Sequence, residues 1–241
     1  MTDDDRTHRE RYAGAIREAR GAGDDRFHAW FNDAVSEEEA MRRGYWDFAL
    51  HILTPPVCQR IAEPAALTAL EIGYGGGRLV NAAASYFGRV VGIDVHDELD
   101  QVAALLERRG HTNVTLLKTD GSSIGVDDGS VDLVYSFIVL QHLPRYEAFV
   151  RYLEETHRVL ADGGVAQLYY GRLKSRDPRR RYREIDAPVN QISLQVAPRH
   201  VHRLCRRIGF DVLARGHSYK NVPDGYPRVP GGQAAVTLVK L

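Results

Sequence analysis

The stretch Ala69-Leu70-Glu71-Ile72-Gly73-Tyr74-Gly75-Gly76-Gly77-Arg78 constrains the fold more than any other part of the chain. An apolar run enters four glycines and continues into the helical segment Leu79 to Ser85. A parallel strand that ends in a glycine turn and restarts as a helix presents backbone N–H groups at its carboxyl end, and glycine clears side chains from that point. Such a density of glycine predicts a ligand lying against the main chain. The alternative is a tight strand-to-helix turn with no ligand.

Two cofactor classes use a turn of this kind, dinucleotides and S-adenosylmethionine, and the spacing begins to separate them. A dinucleotide fingerprint places a third glycine where the first helical turn packs on the strand. Counting from Gly73 and Gly75, that position is Arg78, which is too large. Glu71, just before the first glycine, would repel a pyrophosphate and suits a cationic ligand. The next apolar run, Arg89 to Asp94, ends on a carboxylate about 20 residues beyond Gly73, where it can accept both ribose hydroxyls of a nucleoside. NAD enzymes carry an acid there too, so Asp94 supports a nucleoside without choosing which. Its bland alternative is an N-cap for the helix starting near Glu98.

With 241 residues, 44% of them hydrophobic, the chain can bury the core of one large α/β domain with additions. Thirty-two basic residues balance 32 acidic ones, which argues against a general binder of polyanions. Cys58 and Cys205 are far apart, so neither a disulfide framework nor a metal site is expected. The acidic N-terminus and the absence of a long apolar run predict a cytoplasmic protein with no membrane segment.

Residues 1–64 read as an N-terminal helical cap on the substrate side. Residues 6–20 form a marginal helix with a thin apolar line at Tyr12, Ile16 and Ala19, followed by the aromatic group Phe27, Trp30 and Phe31. Ser36 and Glu39 make a capping box, and Met41, Tyr45, Phe48 and Ile52 then fall at helical spacing until Pro55. From residue 65 strands and helices alternate, the pattern of a doubly wound parallel sheet. Strands are expected at 67–72, 89–94, 113–117, 130–138, 165–170, 211–214 and 234–241.

The fourth strand is the most informative, Val131-Asp132-Leu133-Val134-Tyr135-Ser136-Phe137-Ile138-Val139-Leu140-Gln141-His142-Leu143, followed after a helix by Arg158-Val159-Leu160-Ala161-Asp162-Gly163-Gly164. Together with Glu71-x-Gly73-x-Gly75-x-Gly77, these phrases resemble the ordered motifs of class I methyltransferases over residues 65–241. The resemblance implies a mostly parallel seven-stranded sheet binding S-adenosylmethionine, with no metal. It assigns cofactor contacts to Glu71, Gly73, Tyr74, Gly75 and Gly77 in the first motif. Asp94, Asp120 with Gly121, and Phe137 with Ile138 follow, Asp120 meeting the adenine amino group. His142 stands beside the expected cofactor, as a general base or as a brace for the loop. Helices in the position of 37–52 often cover the cofactor cleft in this family.

Residues 172–197 carry no clear period and are expected to be an insertion over the acceptor pocket. Arg179 and Arg181 from its basic half, with Trp30, Tyr45 and Tyr219, are the candidate substrate contacts. Three functions remain open: methyl transfer to oxygen or nitrogen of a small molecule, methylation of RNA through those arginines, and a non-catalytic nucleoside-cofactor domain.

Overall fold

The computed structural model describes residues 3–32, 34, 36–218 and 233–241. Four helices precede the sheet: α1 (Asp3–Gly21), α2 (Asp24–Asn32), α3 (Glu37–Asp47) and the short α4 (Pro55–Cys58). The predicted capping box forms, with the Glu39 N–H donating to Ser36 Oγ at 3.2 Å. At Asp47 the α-helix gives way to one π turn, Phe48–Ile52, which turns Phe48, His51 and Ile52 inward.

Alternating apolar runs and amphipathic helices then build one sheet. β1 (Thr68–Ile72), α5 (Arg78–Ala84), β2 (Arg89–Asp94), α6 (Leu99–Arg108), β3 (Val114–Lys118), β4 (Val131–Ser136), α7 (Tyr146–Val159) and β5 (Leu160–Gly171) follow in order. The five strands pair in parallel. Their residues are apolar almost throughout because helices cover both faces. After β5 come a small hairpin, β6 (Tyr182–Glu184) with β7 (Leu194–Val196), and then α8 (Pro198–Ile208), β8 (Phe210–His217) and β9 (Gln233–Lys240). The order is β3-β2-β1-β4-β5-β9-β8, with β9 antiparallel to both neighbours. This is the seven-stranded, mostly parallel, doubly wound sheet expected from the sequence.

The helices before the sheet divide between two tasks. α3 packs along α5, and Gly44 is what permits it, because a Cβ there would stand 2.2 Å from the Arg78 carbonyl oxygen. A glycine inside a helix costs about 1 kcal/mol relative to alanine, so this close approach explains its presence. α1 and α2 instead lie over the carboxyl edge of the sheet. The expectation that residues 37–52 cover the cofactor cleft is thus corrected: the marginal helix and the aromatic segment form the roof. α3 has its apolar stripe committed to α5, whereas α1 has only a thin one and is held by polar contacts.

Candidate active site

The strand order reverses direction at β1, between β2 and β4, and opens a crevice at their carboxyl ends. A cavity of about 280 Å³ occupies it, floored by the glycine turn and roofed by α1, α2 and the loop carrying Asn190. Gly73, Gly75 and Gly77 all adopt positive φ, of 81°, 52° and 83°. A Cβ would fall 2.4 Å from Val139 Cγ2 at Gly73, 2.8 Å from Phe31 Cδ1 at Gly75 and 2.6 Å from Val102 Cγ1 at Gly77. The protein's own side chains therefore fill much of the space the glycines release. The inference that only a ligand accounts for them is corrected: they let α2, α6 and the post-β4 loop close on the turn.

Carboxylates mark three places along the cavity. Asp94, at the end of β2, accepts the Gly75 N–H at 2.8 Å through Oδ2 and the Val95 N–H at 2.7 Å through Oδ1. Each oxygen keeps a further lone pair for a hydroxyl. Its geometry thus serves the turn rather than capping α6, whose N-cap is Glu98. Asp120 Oδ1 collects the N–H and hydroxyl groups of both Ser122 and Ser123. Partial burial works to raise this carboxyl, but those hydrogen bonds outweigh it and hold it below its usual range.

Glu71 is fully buried and accepts the Tyr135 hydroxyl at 3.3 Å. Burial pushes its carboxyl up to about 8, against the opposing pull of Arg78 and of the Tyr135 hydrogen bond. A raised carboxyl is neutral in the fold while already ionised in the unfolded chain, so its contribution is complete below about 4.5 and lost as pH rises through about 8. Thermal melting of the wild-type protein should decline across that window, and Glu71→Gln should flatten the decline. Parallel curves for the two proteins would contradict the assignment.

Arg78 brings a cation to the same end of the cavity. Its guanidinium pairs with Asp47 at the end of α3, both side chains about nine-tenths buried, and stands 5.8 Å from the centre of the Phe137 ring. Behind Phe137 the His51 ring stacks at 4.4 Å. Phe137 and Ile138 both line the cavity, and Ile138 has φ 61°, an outlier for a β-branched residue and a point of real backbone strain. Gly121 lines it too, at φ 83°.

His142 also lines the cavity, but its ring is engaged on both sides. Nδ1–H donates to the Gln191 carbonyl at 2.7 Å, and Nε2 accepts from the Gln141 amide at 3.1 Å. Burial pulls its pKa down, which favours this neutral tautomer. With its one free lone pair taken, the ring braces the post-β4 turn against the insertion, so this geometry favours the brace over the base.

The roof is tied to the edge by polar contacts that sequence reasoning missed. His8 Nε2–H donates to the His142 carbonyl at 2.8 Å, and the Arg9 guanidinium donates to the Asp120 carbonyl at 2.9 Å. The Tyr12 hydroxyl accepts the Asn190 N–H at 2.9 Å, and Asn190 Nδ2 donates to the Trp30 carbonyl at 2.9 Å. Asn190 has φ 67°, a conformation asparagine tolerates.

Residues 70–168 match the family described as a methyltransferase domain. That stretch, which runs from β1 into β5 and includes the crevice, is similar to a methyltransferase domain. The chain is 33% identical over 142 residues to an uncharacterized methyltransferase of Mycobacteroides abscessus, covering 56% of this chain and 52% of that protein. It is 29% identical over 121 residues to a ubiquinone biosynthesis O-methyltransferase of Xanthomonas axonopodis pv. citri, covering 46% of this chain and 51% of that one. The chain thus spans about half the length of the curated relatives it matches. In fold it is similar to Burkholderia thailandensis 1,6-didemethyltoxoflavin-N1-methyltransferase, solved with 1,6-didemethyltoxoflavin and S-adenosylhomocysteine. That likeness has a TM-score of 0.65 at 17% identity, over 96% of this chain and 86% of that structure.

Several predicted contacts lie away from this cavity. Gly77 caps α5 and does not reach the cavity. The Tyr74 side chain touches the cavity wall but is buried, edge-on to His96 at 5.0 Å and lying over Gly92, so it serves mainly as core. Tyr45 is 40% exposed and pairs its hydroxyl with Ser85 at 2.9 Å, on the far side of α5 from the crevice. Trp30 does line the cavity. Arg179 and Arg181 are exposed outside it, because the β6–β7 hairpin turns the basic half of the insertion away from the crevice. Among the described residues of that insertion only Asn190 reaches the cavity. Tyr219 lies outside the described residues.

Proposed function

We propose that the chain is an S-adenosylmethionine-dependent methyltransferase that transfers a methyl group to oxygen or nitrogen of a small-molecule acceptor. The observation that carries this reading is the cavity at the carboxyl ends of β1, β2 and β4, roofed by α1 and α2. A roofed pocket of about 280 Å³ suits a small acceptor better than the long open groove a polymer needs. The residues present fit the cofactor. Glu71, its carboxyl kept neutral by burial, offers a hydrogen-bonding partner for the methionine ammonium and Arg78 a cation for its carboxylate, Asp94 a carboxylate for the ribose, and Asp120 Oδ2 an acceptor for the adenine amino group. The cofactor supplies an electrophilic methyl carbon. The chain's part is to hold the acceptor in line and keep water out, and the strained Ile138, Trp30 and Tyr12 stand where they can do so.

The relatives' names support the acceptor class, since one is a ubiquinone biosynthesis O-methyltransferase and the structural neighbour is a 1,6-didemethyltoxoflavin-N1-methyltransferase. Of residues 1–64, α1 and α2 serve in this reading as the cap, and a cytoplasmic setting suits two free cysteines. Among the described residues no helix is long and apolar enough to cross a membrane.

Incubation with isotope-labelled S-adenosylmethionine and fractionated cell extract should label a small product identifiable by mass spectrometry. Calorimetry should show S-adenosylhomocysteine binding, weakened by about 1–3 kcal/mol in Asp94→Ala through loss of charged-acceptor hydrogen bonds. Tighter binding of NAD than of S-adenosylhomocysteine would overturn the reading.

A further inference from the structure

A second cleft opens beyond the carboxyl end of β5 and shares no lining residue with the cavity described above. Arg172, Lys174, Arg176 and Arg199 line it, with Leu173, Ser175, Ala197 and Pro198 between them. Its floor is fixed: the Leu173 N–H donates to the Val196 carbonyl at 3.1 Å, Arg172 bridges to Val196, and Leu173 and Ala197 are buried. One of the four cations is pre-positioned, since the Arg199 guanidinium donates to the Asp177 carbonyl at 2.5 Å.

Two features of this cleft run against stability alone. In a chain with equal numbers of acids and bases, several cations find carboxylates: Arg43 with Glu39, Arg78 with Asp47, Lys118 with Asp97, Arg158 with Asp128 and Glu155. Among the described residues no carboxylate forms an ion pair with Arg172, Lys174, Arg176 or Arg199. Furthermore, α8 begins at the cleft with no acid in its first turn and with Arg199 there instead, where the helix dipole disfavours a cation. Cations gathered at a positive helix end repel one another unless an anion joins them.

We infer that this cleft binds a phosphate-bearing small molecule, held by Arg172, Lys174, Arg176 and Arg199. Four converging donors of this kind match the several acceptor oxygens of a phosphate or diphosphate better than a single carboxylate.

The test is calorimetric titration of the full chain with pyrophosphate at low ionic strength. One saturable site is expected, with affinity reduced at least tenfold in Arg172→Gln/Arg199→Gln and unchanged in Arg206→Gln, an exposed α8 position outside the cleft. S-adenosylhomocysteine binding should be the same in all three, which separates this inference from the reading of the cavity. Should the double variant melt far below the wild type, Lys174→Gln replaces it, with a several-fold loss expected. No saturable binding, or equal binding by the cleft variants, overturns the proposal. So does a 5′-phosphorylated oligoribonucleotide whose affinity grows with its length and falls equally in Arg206→Gln, since that marks a nucleic-acid face.

Discussion

Asp47→Ala should destabilise the fold by about 3–5 kcal/mol, the range for removing one partner of a buried ion pair. Asp47 and Arg78 are both about nine-tenths buried, so the guanidinium left behind would sit in a low-dielectric site without its counter-charge. The nearby Glu71 does not replace it, because burial holds its carboxyl neutral. Urea denaturation monitored by circular dichroism gives the number. Asp97→Ala is the control: Asp97 and its two partners, Lys118 and Arg17, are each about half exposed or more, and such a pair contributes roughly 0–1 kcal/mol. Equal losses in the two variants would mean that burial of the Asp47 pair counts for nothing.

Gly73→Ala is expected to cost about 2–5 kcal/mol, from left-handed backbone and overpacking together. The two parts are separable. Gly110 has nearly the same φ, 84°, but nothing within 4 Å of where a Cβ would stand, so Gly110→Ala reports the backbone part alone. At Gly73 both Val139 methyls face the added carbon, at 2.4 and 2.6 Å, and rotating the valine cannot clear both. Val139→Ala in the same chain should therefore recover part of the Gly73→Ala loss, a coupling readable in a double-mutant cycle. Additive losses would show that the turn relaxes away from Val139.

The parallel sheet was legible because most of its strands are short, apolar and closed by recognisable turn chemistry; β2 matches its expected bounds, Arg89 to Asp94, whereas the 12-residue β5 begins at Leu160, ahead of the expected 165. The cofactor crevice followed from the same phrases. The roof was not, for a physical reason: α1 is held by His8, Arg9 and Tyr12 reaching loops more than 100 residues away, and such contacts leave no periodicity in the sequence. The regular stripe of residues 41–52 advertised a helix but not its partner, and its Tyr45 turned out to lie on the surface. β6 and β7 have three residues each, too few for alternation to register, and their pairing sent Arg179 and Arg181 outward. The role of Arg78 was hidden because its partner Asp47 lies on another helix.

The contacts that hold α1 and α2 shut have one property in common. His8 and Arg9 reach the carbonyls of His142 and Asp120, Tyr12 takes the N–H of Asn190, and the Asn190 side chain takes the carbonyl of Trp30. Each clasp has a peptide group on at least one side. Residues 120, 142 and 30 can thus exchange their side chains while the peptide that α1 or Asn190 grips stays the same. Tyr12 and Asn190 grip through their own side chains and also line the cavity, so a change there alters its shape and its roof together, whereas a change at 120, 142 or 30 reshapes the wall alone.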